Sequence, residues 1–170
     1  MSTPAPVARG DQSVVSVLVR VTPSEAFRVF TEEIDLWWRA GRRYRIGKGR
    51  SVVHLEPKLG GRLFESFESG DRQHIFETGR VTLWEPPSRL VLEWRAVNFA
   101  PSEATFVDVD FAPSASGTLV TVRHHGWSGI RSDHPARHGE EASAFLRTMG
   151  LWWGDLVTSL RERAERDAGD

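Results

Sequence analysis

The feature that most constrains this chain is the stretch 51–124, where six short runs of alternating apolar and polar residues are each closed by a cluster of turn formers. The runs fall at 52–56, 62–68, 74–84, 89–97, 104–112 and 118–124, with turns at 57–61, 69–71, 85–88 and 113–117. Connections this short cannot house a crossover helix, so consecutive runs pair antiparallel as a meander. One further run precedes them at 13–21. Val15, Val17, Val19 and Val21 alternate along it, with Val14 and Leu18 on the opposite face, the mark of a half-buried strand.

Helices flank the meander. Thr22 can cap a helix that has Pro23 at its first position, and Glu25 can reach back to the Thr22 amide to complete a capping box before Ala26, Phe27, Val29 and Phe30. Thr31, followed by Glu32 and Glu33, reads as a second cap leading to Ile34, Leu36, Trp37 and Trp38. The segment 140–167 reads as one long helix, with Phe145, Met149, Trp152, Trp153, Leu156 and Leu160 at three- and four-residue steps. Its far face carries Arg161, Glu162, Arg163, Glu165 and Arg166. Gly150 and Gly154 each cost this helix about 1 kcal/mol relative to Ala, which points to close approach of the sheet or room for a ligand.

The expected fold class is therefore α+β: a curved antiparallel sheet of about seven strands around a long C-terminal helix, with two short helices after strand one. One domain over 13–167, behind a disordered tail at 1–12, is the expected organisation of the 170 residues. Lys and Arg total 22 against 23 for Asp and Glu, so bulk charge gives no support to nucleic-acid binding. With no cysteine, disulfides and thiolate metal sites are excluded, and a reducing, cytoplasmic setting fits. No run approaches the ~20 apolar residues of a membrane span, and no secretory leader is evident.

Five segments carry a family resemblance: 30–38 (FTEEIDLWW), 56–65 (EPKLGGRLFE), 79–94 (GRVTLWEPPSRLVLEW), 118–127 (TLVTVRHHGW) and 150–160 (GLWWGDLVTSL). In this order they resemble the SRPBCC (START-like, Bet v 1-like) superfamily, and within it the family related to the C-terminal domain of the activator of Hsp90 ATPase. The resemblance covers about 14–163. It implies a helix-grip fold whose cavity, between sheet and last helix, takes hydrophobic small molecules. Relatives elsewhere in the superfamily are polyketide cyclases or chaperone partners, and fold alone does not choose among these. No separate module of the kind found in the eukaryotic Hsp90 activators precedes this domain, so a chaperone partner is not expected. A homodimer is left open.

The alternation sends Leu90, Leu92 and Trp94, then Val107, Val109 and Phe111, then Val120, Val122 and His124 toward the helix. In the run from His74, the same reading carries Glu77 inward with Ile75, Gly79, Val81 and Leu83. A buried carboxylate or imidazole needs a partner and titrates abnormally, which is how pocket chemistry is often marked; ordinary hydrogen bonding near the sheet's rim is the competing account. Of seven tryptophans, Trp94 and Trp153 suit core packing, while Trp38 and Trp127 end elements near the expected pocket entrances. The loop 39–50 holds six basic residues and Tyr44 and reads as a solvated loop beside the pocket mouth. Its single aromatic is too few for a nucleic-acid face. His134 and His138 are four apart beside Asp133, Glu140 and Glu141, but Pro135 and Gly139 break the helix that would align them, so no metal site is assigned. Hydrolase, nucleotide and dinucleotide motifs are absent, and no cofactor is implied.

The expected function is binding of a small hydrophobic or aromatic ligand. The lining would come from Trp38, Leu92, Trp94, Val107, Val109, Val122, Trp127, Phe145, Met149 and Trp152, with Glu77 and His124 as polar anchors. Two rivals stand beside it. One is an aromatase/cyclase-like enzyme using Glu77 or His124 for proton transfer; the other is a protein-interaction module with an exposed apolar patch, against which the polar outer phases speak.

Overall fold

The β-rich alternation of the chain builds one seven-stranded sheet. The computed structural model describes residues 12–47, 49–95, 99–127 and 142–169. Residues 1–11 of the tail expected at 1–12, the end of the run expected to reach 97, His134, His138 and the helix start expected at 140 lie outside them, while Gln12, expected in the tail, begins the first strand. The strands are β1 (Gln12–Val19), β2 (Ser51–Leu55), β3 (Arg62–Ser69), β4 (Arg72–Glu85), β5 (Arg89–Trp94), β6 (Thr105–Ser114) and β7 (Gly117–His125). Their order is β1-β7-β6-β5-β4-β3-β2, and every pair is antiparallel. The meander is thus as the turn spacing requires, and β1 closes onto β7. Helices α1 (Pro23–Glu32) and α2 (Ile34–Trp37) follow β1, and α3 (Ala142–Gly169) ends the chain. The result is the expected α+β helix-grip fold, a curled sheet holding a C-terminal helix.

Register sets the inner face in rows. Trp84, Leu90, Val109, Val122 and Val15 form one row across five strands; Val81, Leu92, Val107, His124 and Ser13 form the next; Gly79, Trp94 and Thr105 a third. The centre of these rows is sealed, with Leu90, Val107, Val109, Val122 and His124 all at 0% exposure. Burying each such apolar side chain stabilises the fold by about 1.5–3 kcal/mol.

Strand β4 departs from simple alternation. Leu63 faces Gly79 but Phe64 faces Glu77, leaving Thr78 unmatched; Val81 faces Leu92 but Leu83 faces Val91, leaving Thr82 unmatched. Each extra residue is a bulge that bends the strand and reverses which side chains point inward. Leu83 consequently turns outward, and Trp84 turns inward to meet Phe27 at 5.1 Å between ring centroids.

Two local expectations are corrected. The Thr22 hydroxyl accepts the Glu25 amide at 3.2 Å, as a cap should, but the Glu25 carboxylate turns to Arg28 at 2.6 Å instead of returning to Thr22. A two-point ion pair with a guanidinium outcompetes a single bond from the same carboxylate to an uncharged amide. Thr31 does not cap α2: it lies within α1, and its hydroxyl donates to the Phe27 carbonyl at 2.8 Å. α2 starts at Ile34, and its N-cap residue Glu33 makes no side-chain capping bond.

α3 rests on β1 and on the two short helices. From Trp153 onward it buries Trp153, Leu156, Val157, Leu160 and Ala164. Arg163 and Arg28 both grip Glu33, at 2.9 and 2.8 Å, tying the helix end to α1. At Gly150 a Cβ would stand 3.2 Å from the Ser13 hydroxyl, and that hydroxyl donates to the Leu146 carbonyl, so this glycine serves close approach. At Gly154 a Cβ would meet nothing within 4 Å. At Gly79, by contrast, it would lie 2.2 Å from the Glu93 carbonyl oxygen. Gly154→Ala should raise the free energy of urea unfolding by about 0.5–1 kcal/mol. Gly79→Ala should lower it by about 1–3 kcal/mol, because backbone cannot yield as a side-chain tip can.

Candidate functional site

The inner rows and α3 meet at an aromatic cluster whose hub is His124. The Trp153 indole nitrogen donates to His124 Nδ1 at 3.1 Å, and an indole can only donate. Nδ1 is therefore the acceptor, and the ring proton sits on Nε2, which donates to the Thr105 hydroxyl at 2.8 Å. Thr105 passes the chain on to the Trp94 carbonyl at 3.1 Å. Burial, with a smaller contribution from the neighbouring His125, pushes the His124 pKa down to about 3. The imidazole is neutral and both nitrogens are engaged, which suits a fixed core partner and leaves no site for proton exchange with a ligand.

Around this hub stand Trp38, Trp94 and Trp152. Trp38 stacks on Trp94 at 6.1 Å and meets Trp152 edge-on at 5.8 Å, while Trp94 meets His124 at 5.6 Å. Backbone carbonyls take two of the indole donors: Trp38 donates to Tyr44 at 2.9 Å and Trp152 to Arg43 at 2.6 Å. What these two rings offer a neighbour is apolar face. Beside them lies a second cluster of Trp127 and Phe145, whose rings are 4.7 Å apart, with Phe99 and Leu146 against it. Half-buried Met149 touches both clusters. Tyr44 and Trp152, also half-buried, stack at 5.8 Å.

The structure thus brings Trp38, Trp94, His124, Met149 and Trp152 together, with Trp127 and Phe145 adjoining. Leu92 and Val107 lie in the His124 row, and Val109 and Val122 one row deeper in the core. Glu77 is elsewhere, and its inward placement is corrected. The bulge at Thr78 turns it to the outer face, where it is exposed and paired with Arg80. There it borders a shallow hollow of about 320 Å³ with Thr78, Gly79, Arg80, Glu93 and Arg95.

Sequence reasoning missed three residues that fix the basic loop beside the aromatic cluster. Arg45 sits inside what read as a solvated basic loop, yet all five of its N–H groups are engaged. They reach the carbonyls of Arg39, Asp35, Trp38 and Ser51 and the Asp35 carboxylate at 2.7–3.1 Å. The same Asp35 oxygen accepts the Val53 amide, so α2, the loop and β2 are latched together. Glu65 is the buried carboxylate of the inner face, its two oxygens accepting the Ile46 and Gly47 amides at 2.8 and 2.9 Å. It stands between Leu63 and Phe67 in the inward phase of β3, the signal that was read for Glu77 instead. Tyr44 donates to Asp155 of α3 at 2.8 Å, and burial and that carboxylate push its pKa up. Against this anchored loop lies a cavity of about 360 Å³ lined by Arg42, Arg43, Tyr44, Arg45 and Ile46. Among the described residues no helix is long and apolar enough to cross a membrane.

A seven-stranded antiparallel curled sheet gripping a C-terminal helix, with two short helices after its first strand, is the START-like arrangement. The family model described as activator of Hsp90 ATPase homologue 1-like protein matches residues 20–164, and the chain belongs to that family. No curated protein matches it. Among solved structures it is similar to protein MLL2253 of Mesorhizobium loti, at 18% identity and a TM-score of 0.62, over 91% of this chain and 97% of that one. It is also similar to NE0264 of Nitrosomonas europaea, at 15% identity and a TM-score of 0.64, over 96% and 99%. A third is the Aha1 protein of Colwellia psychrerythraea, a dimer in solution, at 14% identity and a TM-score of 0.60, over 91% and 96%. Identities this low establish a common fold.

Two outcomes follow from this geometry. The unfolded chain binds a proton on His124 near pH 6.5 and the folded chain only near 3, so stability is full above 6.5 and falls as pH drops between the two values. Urea titrations from pH 7 to 5 should show a decline approaching about 1.4 kcal/mol per unit below 6.5, and His124→Gln should flatten it. Arg45→Ala should lower the free energy of unfolding by about 2–3 kcal/mol, since it strands Asp35 and several carbonyls.

Proposed function

We propose that the protein binds a small hydrophobic or aromatic molecule between the inner face of the sheet and the N-terminal half of α3, without catalysing a reaction on it. The observation that carries this reading is the half-buried trio Tyr44, Met149 and Trp152. They back onto the buried indoles of Trp38 and Trp94 and present apolar surface that the chain only partly covers. An interior devoted to packing alone would have no reason to leave such rings half-buried beside the loop 39–47. The family's fold is consistent with a ligand cavity in this position.

Binding is favoured over turnover because neither side chain considered for proton transfer is placed for it. His124 is neutral and doubly engaged, and Glu77 is on the far face of the sheet beside Arg80. Tryptophan emission should change saturably when the protein is titrated with a panel of aromatic and fatty compounds. Native mass spectrometry of freshly purified protein should show a copurifying apolar molecule. Met149→Trp should weaken binding about tenfold or more by filling the space between the two clusters. Unchanged emission across the panel, together with an empty native mass spectrum, would overturn the reading.

A further inference from the structure

The mouth carries a charge imbalance that the interior does not. Three carboxylates lie around the loop, and each is already engaged. Asp35 is held by Arg45. Glu65 accepts two loop amides. Asp155 accepts the Tyr44 hydroxyl and stands 3.8 Å from Arg39. Arg42 and Arg43 face no carboxylate among the described residues, although both are exposed and both line the 360 Å³ cavity. The Arg43 guanidinium lies 5.9 Å from the centre of the Tyr44 ring, whose stacking partner is Trp152. Two uncompensated cations thus stand beside an apolar aromatic pair, in a chain whose formal net charge is −1.

We infer that the ligand is an amphipathic carboxylate, whose acid group docks on Arg42 and Arg43 while its apolar body lies against Tyr44 and Trp152. This inference rests on the binding reading above and adds the ligand's charge to it. Guanidinium pairs carboxylate through two parallel hydrogen bonds, so two arginines at the rim select an acid over a neutral molecule of the same shape. The anchoring of the loop supports the same assignment. Arg45, Glu65 and Tyr44 hold residues 44–47 in place and the Trp152 indole holds the Arg43 carbonyl, so Arg42 and Arg43, next to that stretch, are presented to a ligand in advance. The Trp152 donor is held by the Arg43 carbonyl and the Tyr44 hydroxyl by Asp155, so what the two half-buried rings still expose to a ligand is apolar surface.

The test uses the full chain and a matched pair of probes, naphthalene-2-carboxylate and naphthalene-2-carboxamide, titrated by tryptophan emission. The carboxylate should bind about tenfold tighter, with the advantage shrinking as salt rises. In the doubly substituted Arg42→Gln/Arg43→Gln protein, the ratio of the two affinities should collapse to about one. Arg42→Lys/Arg43→Lys should keep most of it, separating charge recognition from disturbance of the loop. Equal affinities for the two probes in the wild-type protein, or a preference that survives the glutamine substitutions, would overturn the inference and leave the pocket standing. Failure of both probes to bind would overturn the inference as well, and the compound panel and native mass spectrum described above would then decide the pocket.

Discussion

The hydrogen-bonded line from the Trp153 indole through His124 and Thr105 to the Trp94 carbonyl is the constraint on which the inner architecture rests. It joins α3 to β7, β6 and β5 by polar contacts in a region otherwise closed to water. Buried polar groups are tolerated when every partner is present, and a chain of them has one arrangement in which all are satisfied. Helix α3 therefore has a defined rotation and height over the sheet, which apolar contacts alone would specify less sharply. The positions of Trp38, Trp94 and Trp152 around the hub follow from that placement.

The two bulges of β4 have an equally wide reach. The one at Thr82 admits Trp84 to the core, where it seats Phe27 and thereby α1. The one at Thr78 sends Glu77 outward and leaves Gly79 opposite Trp94, so the third row of the inner face has no side chain on β4. Curvature and the shape of the inner face are products of the same pair of insertions, since a bulged strand bends where its alternation breaks.

Around the mouth, electrostatics divides the basic loop into two populations. Arg45 is consumed by structure: it replaces the hydrogen bonds that an irregular segment cannot make with itself, and the loop keeps one conformation as a result. Arg42 and Arg43 project from that fixed backbone. A charge run that looks uniform in sequence thus contains a largely enclosed fastener, Arg45, beside exposed cations such as Arg42 and Arg43 with a different physical role.

The sequence by itself determined the antiparallel meander, the helix order, the Thr22 cap and the inward phase of β5, β6 and β7, including His124. These depend on local alternation, turn residues and helical spacing, all readable within one element. It also supplied most of the aromatic cluster, because large apolar residues at those phases have nowhere else to go. Tertiary structure alone decided the rest. Glu77 could not be placed because a bulge is a relation between two strands, visible only once Phe64 and Gly79 have found their partners. Glu65, in a regular stretch of β3, carried the very signal sought. Arg45 could not be told from its neighbours because four of its five acceptors are backbone carbonyls, which every residue possesses. The state of His124 was settled by Trp153, a donor 29 positions along the chain that only the folded molecule brings to its ring.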